Sequence, residues 1–480
     1  MAGEFLRSHG VEIDAEMSRI QFGTANASEH ESPGTRRPRA LDCIHNVCLP
    51  STAPGSRWTI DLNNGRFGAF KHAEQTHTST KTVSIDGKGA LMAPSLCHPH
   101  VHLDKAYLLS HPKYADLQIE RGDFIEAMGL TGKAKSQFEH GDLLERGQRL
   151  IDESVLAGVT HMRAFVEVDA GVHFKCLDAG LELKKAAEDA ERMKVQLCAF
   201  AQLPLFTPSQ DDPDGGVIRR LVQEATVMAS VECIGSTPYV EADREEMKRN
   251  VDWMIDLSAE TNTHLDFHLD YNVDPNTEPM IWHVLKSLRS HSWQQRTGSK
   301  RTVVLGHCTR LTLFSSSEWQ KLREEVGELP ISFVGLPTSD LFMMRTRDRR
   351  RGTLDVPTLI KEHGLNACIG INNIGNAFTP QGSCDPLSLA CQGVGVYQAG
   401  TKADAELLYE CVSTRAREAI GMGREDGSVD LGVKEGDGGF VVFGEDAVAE
   451  WRTRRSVAEA VYLHDHCQGR RGVVNGRLTS

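Results

Sequence analysis

Residues 91–105 read Leu-Met-Ala-Pro-Ser-Leu-Cys-His-Pro-His-Val-His-Leu-Asp-Lys, an apolar run that ends in alternating histidines. The run predicts a buried β-strand, on which residues two apart share a face. His100 and His102 therefore project from the same side of this strand. Two imidazoles on one strand face are suited to bind a single divalent ion.

This strand is the first of eight apolar runs along the chain, which span 91–102, 160–168, 195–203, 231–240, 264–271, 302–309, 331–338 and 366–374. Amphipathic helical patterns separate several of them, at 143–158, 177–193, 244–261 and 315–326. Eight such alternations over about 330 residues favour a (β/α)8 barrel within its usual size range. A doubly wound open sheet is the alternative, but no glycine-rich phosphate turn supports it.

Both ends of the predicted barrel are flanked by short strand-like segments. Residues 40–93 contain strands and turns, and the segments 438–444, 457–466 and 472–478 predict three more strands. Two β segments at opposite chain ends form one core only if they meet, which predicts a β-sandwich shared by both ends. The predicted domains are a disordered tail at 1–40, sandwich parts at 41–93 and 429–480, and a barrel at 94–428.

Composition excludes several classes of protein. The chain has 53 basic and 66 acidic residues and a formal charge of −13, which argues against nucleic acid or an anionic membrane as partner. No apolar run approaches the roughly 18 residues needed to span a bilayer, and the first residues lack a secretory pattern. The twelve cysteines contain no CxxC, which predicts reduced thiols in a cytoplasmic protein.

Polar residues also end later strands of the predicted barrel. His268 closes the fifth run, His307 the sixth, and Asn372 and Asn373 the eighth. Active sites of such barrels lie at the C-terminal ends of the strands, so these side chains are expected to meet His100 and His102.

The strings HPHVHLDK, HLD at 268–270, GHCT at 306–309 and GINN at 370–373 resemble the amidohydrolase superfamily, specifically its cytosine deaminase and N-isopropylammelide aminohydrolase branch. The resemblance implies one divalent ion, Zn or Fe, held by His100, His102 and His268. It implies that His307 orients the attacking water and that Gln202 contacts the substrate. Asp104 and Lys105 complete the motif; we expect them near the substrate or, alternatively, paired with each other.

The sequence departs from the branch at two positions. Tyr271 stands where a glutamate shuttles protons, and Asn372 stands where an aspartate binds the metal and accepts a proton. A neutral amide is a poorer ligand and no base, and a general base contributes ~10²–10⁴ in rate. We expect His307 to replace the base, with Tyr271 as an acid or Asp385 folded over the barrel mouth as further alternatives.

The expected function is hydrolysis of a non-peptide C–N bond in a small, cyclic nitrogenous substrate, and a homo-oligomer is one candidate assembly. The alternative is a repurposed barrel that binds a ligand or runs isomerase or lyase chemistry. Two interpretations of Asn372 and Asn373 are open. They are either turn residues at the end of the strand, or Asn372 is a metal ligand and Asn373 contacts the substrate. Arg345, in an arginine-rich loop after the seventh run, is a candidate contact for a substrate carboxylate. The second HxH, which begins at His464, is expected to be structural.

Overall fold

The computed structural model describes residues 40–63, 65–72, 83–208, 212–213, 215–228, 230–298, 300–346, 349–434, 439–444, 450–464 and 469–479. The predicted disordered tail lies outside these residues, apart from residue 40. The described chain begins with five short strands: β1 (Cys43–Val47), β2 (Trp58–Asn63), β3 (Arg66–His72), β4 (Ser84–Asp86) and β5 (Met92–Pro94). The first four form one sheet in the order β3-β2-β1-β4.

Eight parallel strands then form the barrel: β6 (Leu96–His102), β7 (Val159–Glu167), β8 (Lys194–Ala201), β9 (Val231–Ser236), β10 (His264–Leu269), β11 (Val303–His307), β12 (Ile331–Gly335) and β13 (Ala367–Ile369). Each strand pairs with the next one along the chain. A parallel bridge between Val101 and Asn372 joins the first strand to the residues that follow the last. The predicted (β/α)8 barrel is therefore confirmed.

Fourteen helices occur in the part of the chain that the structure describes: α1 (Phe124–Lys135), α2 (His140–Leu156), α3 (Lys175–Asp189), α4 (Val217–Thr226), α5 (Arg244–Thr261), α6 (Ile281–Ser290), α7 (Trp293–Thr297), α8 (Ser316–Val326), α9 (Pro337–Met343), α10 (Val356–Lys361), α11 (Pro386–Val396), α12 (Lys402–Cys411), α13 (Thr414–Ala419) and α14 (Val457–Tyr462). The four predicted amphipathic helices correspond to α2, α3, α5 and α8. Among the described helices, none combines the length and apolar character that crossing a bilayer requires.

The C-terminal strands β14 (Gly439–Val442), β15 (Arg471–Val474) and β16 (Arg477–Leu478) form a second sheet with β5, in the order β16-β15-β14-β5. The two small sheets share one apolar core, in which the ring of Phe67 lies 4.3 Å from that of Phe440. This core draws strands from both chain ends, as predicted.

One predicted strand, at 457–466, is wrong over its first residues, because 457–462 form helix α14. Ser456 and Glu459 close a reciprocal capping box at the start of α14, and Val457, Ala460 and Val461 are buried at helical spacing. A strand period of two does not bury this set, whereas a helix does.

The cysteines of the described chain are free thiols. Ten of these eleven residues are buried, including Cys198 and Cys368 within barrel strands. Burial raises the pKa of both thiols well above the usual value. They therefore behave as small core residues.

Candidate metal and active site

Three histidines meet at the C-terminal mouth of the barrel. His100 and His102 share one face of β6, and His268 lies near the end of β10. Nε2 of His268 is 3.1 Å from Nε2 of His100 and 3.0 Å from Nε2 of His102. All three side chains are buried. The structure thus brings together the three histidines that the sequence predicts as metal ligands.

The chemistry of this donor set fits a transition metal. Burial lowers the pKa of His100, His102 and His268 well below the usual value, so their imidazoles are neutral, the form that binds metal. Bonds of about 2.1 Å to a tetrahedral ion separate neighbouring nitrogens by about 3.4 Å, close to the spacing found here.

Asn372 lies beside this cluster. Its Nδ2 donates a hydrogen bond of 2.8 Å to Oγ of Ser339, and its Oδ1 is buried without a hydrogen-bond partner among the described residues. The backbone of Asn372 has a positive φ of 59°, a conformation that asparagine tolerates better than most residues. An amide oxygen without a partner is available as a neutral fourth ligand, so Asn372 remains a candidate.

His307 ends β11, and its ring is held by the carboxylate of Asp340. Nδ1 of His307 donates to Oδ1 of Asp340, 2.7 Å away. The other oxygen of Asp340 accepts hydrogen bonds from Oγ1 of Thr353 and the backbone N–H of Leu336. With Nδ1 engaged, Nε2 of His307 is the acceptor nitrogen. Asp340 follows the seventh barrel strand, and this position at a strand end is the sequence signal that could have identified it.

The ring of Tyr271 packs against one face of the His307 imidazole. The two rings are stacked with centroids 3.8 Å apart, and the Tyr271 hydroxyl donates to the Ser339 carbonyl at 3.5 Å. Burial raises the pKa of Tyr271 well above its usual value, so the phenol stays protonated. The neighbouring Asp270 points away, because its carboxylate accepts from the backbone N–H groups of Met280 and Ile281.

Lys105 does not pair with Asp104, contrary to one alternative drawn from the sequence. Its ammonium group forms an ion pair with Glu167 and donates a hydrogen bond of 3.2 Å to Oε1 of Gln202. Asp104 instead accepts the backbone N–H of Glu167 at 2.8 Å. Lys105, which follows β6, and Gln202, which follows β8, are thus coupled at the edge of the site across the end of β7. The sequence analysis missed Glu167.

A small cavity lies over the histidines. Amide and aromatic side chains form its wall, together with three histidines; the lining residues are His102, Phe124, Gln202, Tyr239, His268, Tyr271, His307, Asn372, Asn373 and Phe378. Asn373 accepts a hydrogen bond of 2.7 Å from Asn376. None of these described lining residues is a carboxylate. The predicted contacts Gln202 and Asn373 both reach this cavity.

Two predicted residues are not brought to the site. The carboxylate of Asp385 caps α11 and accepts hydrogen bonds from Nε2 of His464 at 2.8 Å and from Nη1 of Arg470 at 2.7 Å. Asp385 therefore does not fold over the barrel mouth. Arg345 is exposed, pairs through its backbone with Arg351, and lines neither described cavity.

A buried ion pair beneath the histidines was also missed. Nη1 of Arg163 donates to Oδ2 of Asp266 at 2.7 Å, and Nε of Arg163 donates to Gln196. Oδ1 of Asp266 lies 3.8 Å from Nδ1 of His100. Burial raises the pKa of Asp266 to about 7, against the opposing effect of Arg163. At a distance of 3.8 Å, Asp266 and His100 form no hydrogen bond, so Asp266 affects His100 through its charge alone. Asp266 lies two residues before His268 on β10, so the strand period of two places both side chains on one face, and this spacing was the available sequence signal.

No protein-family model matches the chain. The chain is 22% identical over 353 residues to N-isopropylammelide isopropyl amidohydrolase of Pseudomonas sp. (strain ADP). The matched stretch covers 73% of this chain and 79% of that protein.

Two solved structures share the fold. The 5-methylcytosine deaminase of Klebsiella pneumoniae with 5-fluorocytosine superimposes with a TM-score of 0.75 and 22% identity, over 91% of this chain and 96% of that one. The N-isopropylammelide isopropylaminohydrolase of Burkholderia multivorans gives a TM-score of 0.68 and 19% identity, over 91% and 97% of the two chains. At these identities the likeness establishes the fold of barrel and sandwich together.

Proposed function

We propose, on the premise that the chain fits the amidohydrolase superfamily, that it is a metal-dependent hydrolase of a non-peptide C–N bond in a small cyclic nitrogenous compound. The relatives described above are named for deamination or for removal of an amine from such rings. The observation that carries the proposal is the convergence of three neutral histidines beside His307, whose free Nε2 is set by Asp340.

His100, His102 and His268 would hold the metal, with Asn372 as a neutral fourth candidate. Imidazole nitrogen suits zinc and iron equally, so the donor set leaves both metals open. Such an ion lowers the pKa of water and polarises the carbon under attack. The Arg163–Asp266 ion pair would place a carboxylate behind His100, at a distance longer than a hydrogen bond.

His307 would accept the proton of the attacking water at Nε2. Asp340 holds the ring with Nδ1–H directed away from the site, in the arrangement by which a carboxylate orients a catalytic histidine. The stacked ring of Tyr271 limits rotation of the imidazole. The Tyr271 phenol keeps its proton, and it would exchange its long hydrogen bond to the Ser339 carbonyl for one to the leaving nitrogen rather than ionise.

The side chains that line the small cavity suit a planar, nitrogen-rich ring, and the cavity, with a volume of about 10 Å³, must widen to admit one. Phe124 lies between the rings of Tyr271 and Phe378, at centroid distances of 6.3 and 5.8 Å. The amides of Gln202 and Asn373 offer both donors and acceptors, as the edges of such a ring require. Aromatic faces with a few placed polar groups are typical of small-ligand sites.

A second candidate function is ligand binding, or isomerase or lyase chemistry, without hydrolysis. Its support is the lack of any carboxylate among the described residues that line the small cavity. The family's usual reaction relies on such groups, and a neutral Asn372 and Tyr271 stand in their positions.

Metal analysis and product release separate the two candidates. We expect about one zinc or iron per wild-type chain and none in His268→Ala, with His464→Ala as a matched histidine control that keeps its metal. Ammonia or amine release is then measured across pyrimidines, triazines and cyclic amides. Metal-free wild type would contradict the hydrolase, and a metal-loaded protein inert on the whole panel would favour the second candidate.

A further inference from the structure

A second cavity, with a volume of about 700 Å³, opens next to the histidine site. It lies between helix α1 and the loops that follow β7 and β8. Gln202 lines both this outer cavity and the small cavity over the histidines, while none of the three candidate metal ligands lines the outer one. Gln202 therefore stands between the two cavities, and a substituent of a molecule bound at the metal would reach the outer cavity past its side chain. Cavities of ~300–1,000 Å³ are the usual size of small-ligand sites.

The charge of the described lining disfavours an anion. Lys135, which is partly buried, forms ion pairs with both Glu167 and Asp169, so its charge is already balanced. Asp212 adds a further carboxylate to the wall. Lys105 also pairs with Glu167 from outside the lining, so these groups carry one net negative charge, which disfavours a carboxylate or phosphate and tolerates a neutral or cationic group.

The rest of the wall is largely apolar, with one hydroxyl left over. Met128, Leu203, Pro204 and Ile218 supply the apolar surface. Thr131 is 5% exposed, lines the cavity, and its Oγ1 has no hydrogen-bond partner among the described residues. A buried hydroxyl without a partner is destabilising, and a ligand group that pairs with it removes that cost.

We infer that the outer cavity binds an elongated, mainly apolar substituent of the substrate that carries an uncharged or cationic hydrogen-bonding group. The inference rests on the proposed function, because it makes the cavity a continuation of the ring site. Thr131 is the specificity residue for the polar group of the substituent, and Gly132 leaves the room for its body.

Isothermal calorimetry with three probes of one length tests the cavity without any turnover. The probes are 4-phenylbutan-1-ol, 4-phenylbutylamine and 4-phenylbutanoate. We expect the alcohol and the amine to bind wild-type protein, and the acid to bind at least about tenfold more weakly, a difference of 1.4 kcal/mol.

Gly132→Trp is the blocking variant, since a Cβ on Gly132 meets no atom within 4 Å and Gly132 lines the cavity. Gly141→Trp is its control, because Gly141 is equally open but lies on α2 outside the lining. We expect binding to be lost in the first and kept in the second, and Thr131→Val to weaken the alcohol. Equal binding of all three probes, or retention in Gly132→Trp, would overturn the inference, as would no binding to wild type.

Cytosine carrying a 4-phenylbutyl group on N1 or on its exocyclic nitrogen then tests the link to the ring site. At least one derivative is expected to bind metal-loaded wild type about tenfold more tightly than cytosine, since joined fragments bind as one. This gain should vanish in Gly132→Trp and persist in Gly141→Trp. No gain, or a gain that survives Gly132→Trp, contradicts the link. If cytosine and both derivatives fail while the alcohol binds, the proposed ring function fails and the cavity stands.

Discussion

Oδ1 of Asp340 accepts a hydrogen bond from Nδ1 of His307 over 2.7 Å, although 33 residues separate them. The two side chains follow adjacent barrel strands, and the pair is almost fully buried. This contact sets which nitrogen of His307 faces the site. We propose that His307, held in this way, is the proton acceptor that the residues at positions 271 and 372 do not supply.

Asp340→Asn is expected to lower kcat by ~10²–10⁴-fold, because an amide no longer favours the Nδ1–H tautomer of His307. Metal content should stay at the wild-type value, which separates a catalytic defect from loss of the ion. Thr353→Val is the control: it removes only the 2.8 Å hydrogen bond to the far oxygen of Asp340 and should cost much less. Wild-type kcat in Asp340→Asn would show that His307 is not the base.

Asn372→Asp is expected to tighten metal binding by more than about tenfold, since a unit charge beside a divalent ion contributes a few kcal/mol even at an effective dielectric of about 20. Competition with a metal chelator measures this. Asn373→Asp is the neighbouring control, because Oδ1 of Asn373 is occupied by Asn376. Unchanged affinity in Asn372→Asp would place Asn372 outside the coordination sphere.

Removal of the metal is expected to destabilise the protein. An ion present at 100 times its Kd adds about 2.7 kcal/mol to the free energy of unfolding. Addition of EDTA should therefore lower the Tm of wild type and of His464→Ala, and should leave the Tm of His268→Ala unchanged. If EDTA leaves the Tm of wild type unchanged, the result would contradict a bound ion at this site.

Arg163→Met is expected to lower the free energy of unfolding by about 3–5 kcal/mol, since it leaves the buried Asp266 carboxylate without its cation. The double variant Arg163→Met/Asp266→Asn should recover part of this loss, because no unpaired charge remains. Arg345→Met, at an exposed position, should change the value by less than about 0.5 kcal/mol. Urea unfolding measures all three; an additive double variant would exclude coupling between Arg163 and Asp266.

Asp142 should govern part of the acid stability. Burial opposes its ionisation, but hydrogen bonds from Tyr114, Arg146 and Lys113 lower its pKa to about 2. A depressed folded pKa contributes stability that is present above the unfolded value of about 3.9 and is lost as the pH falls towards 2. Asp142→Asn should therefore be less stable at pH 7 and lose less between pH 4 and 2. The exposed Asp116→Asn should follow wild type; an unchanged acid profile in Asp142→Asn would refute the role.

Much of the fold could be predicted because strand and helix periods are local. The alternation of eight apolar runs with amphipathic stretches predicted the barrel, and strand alternation placed His100 and His102 on one face. The strand predicted over 457–462 was wrong, because six residues of mixed apolar character suit the period of a strand and that of a helix alike. Its capping residues Ser456 and Glu459 decided for helix.

The sequence by itself determined which residues end the barrel strands, and hence that His100, His102, His268 and His307 meet at one mouth. Strand direction and a period of two are sufficient for that. Only the tertiary structure decided which charged groups pair with each other. Asp340 pairs with His307, Glu167 with Lys105, and Arg470 with Asp385. These contacts join residues that are distant along the chain, and a hydrogen bond depends on tenths of an ångström in a packed interior, which no local pattern specifies.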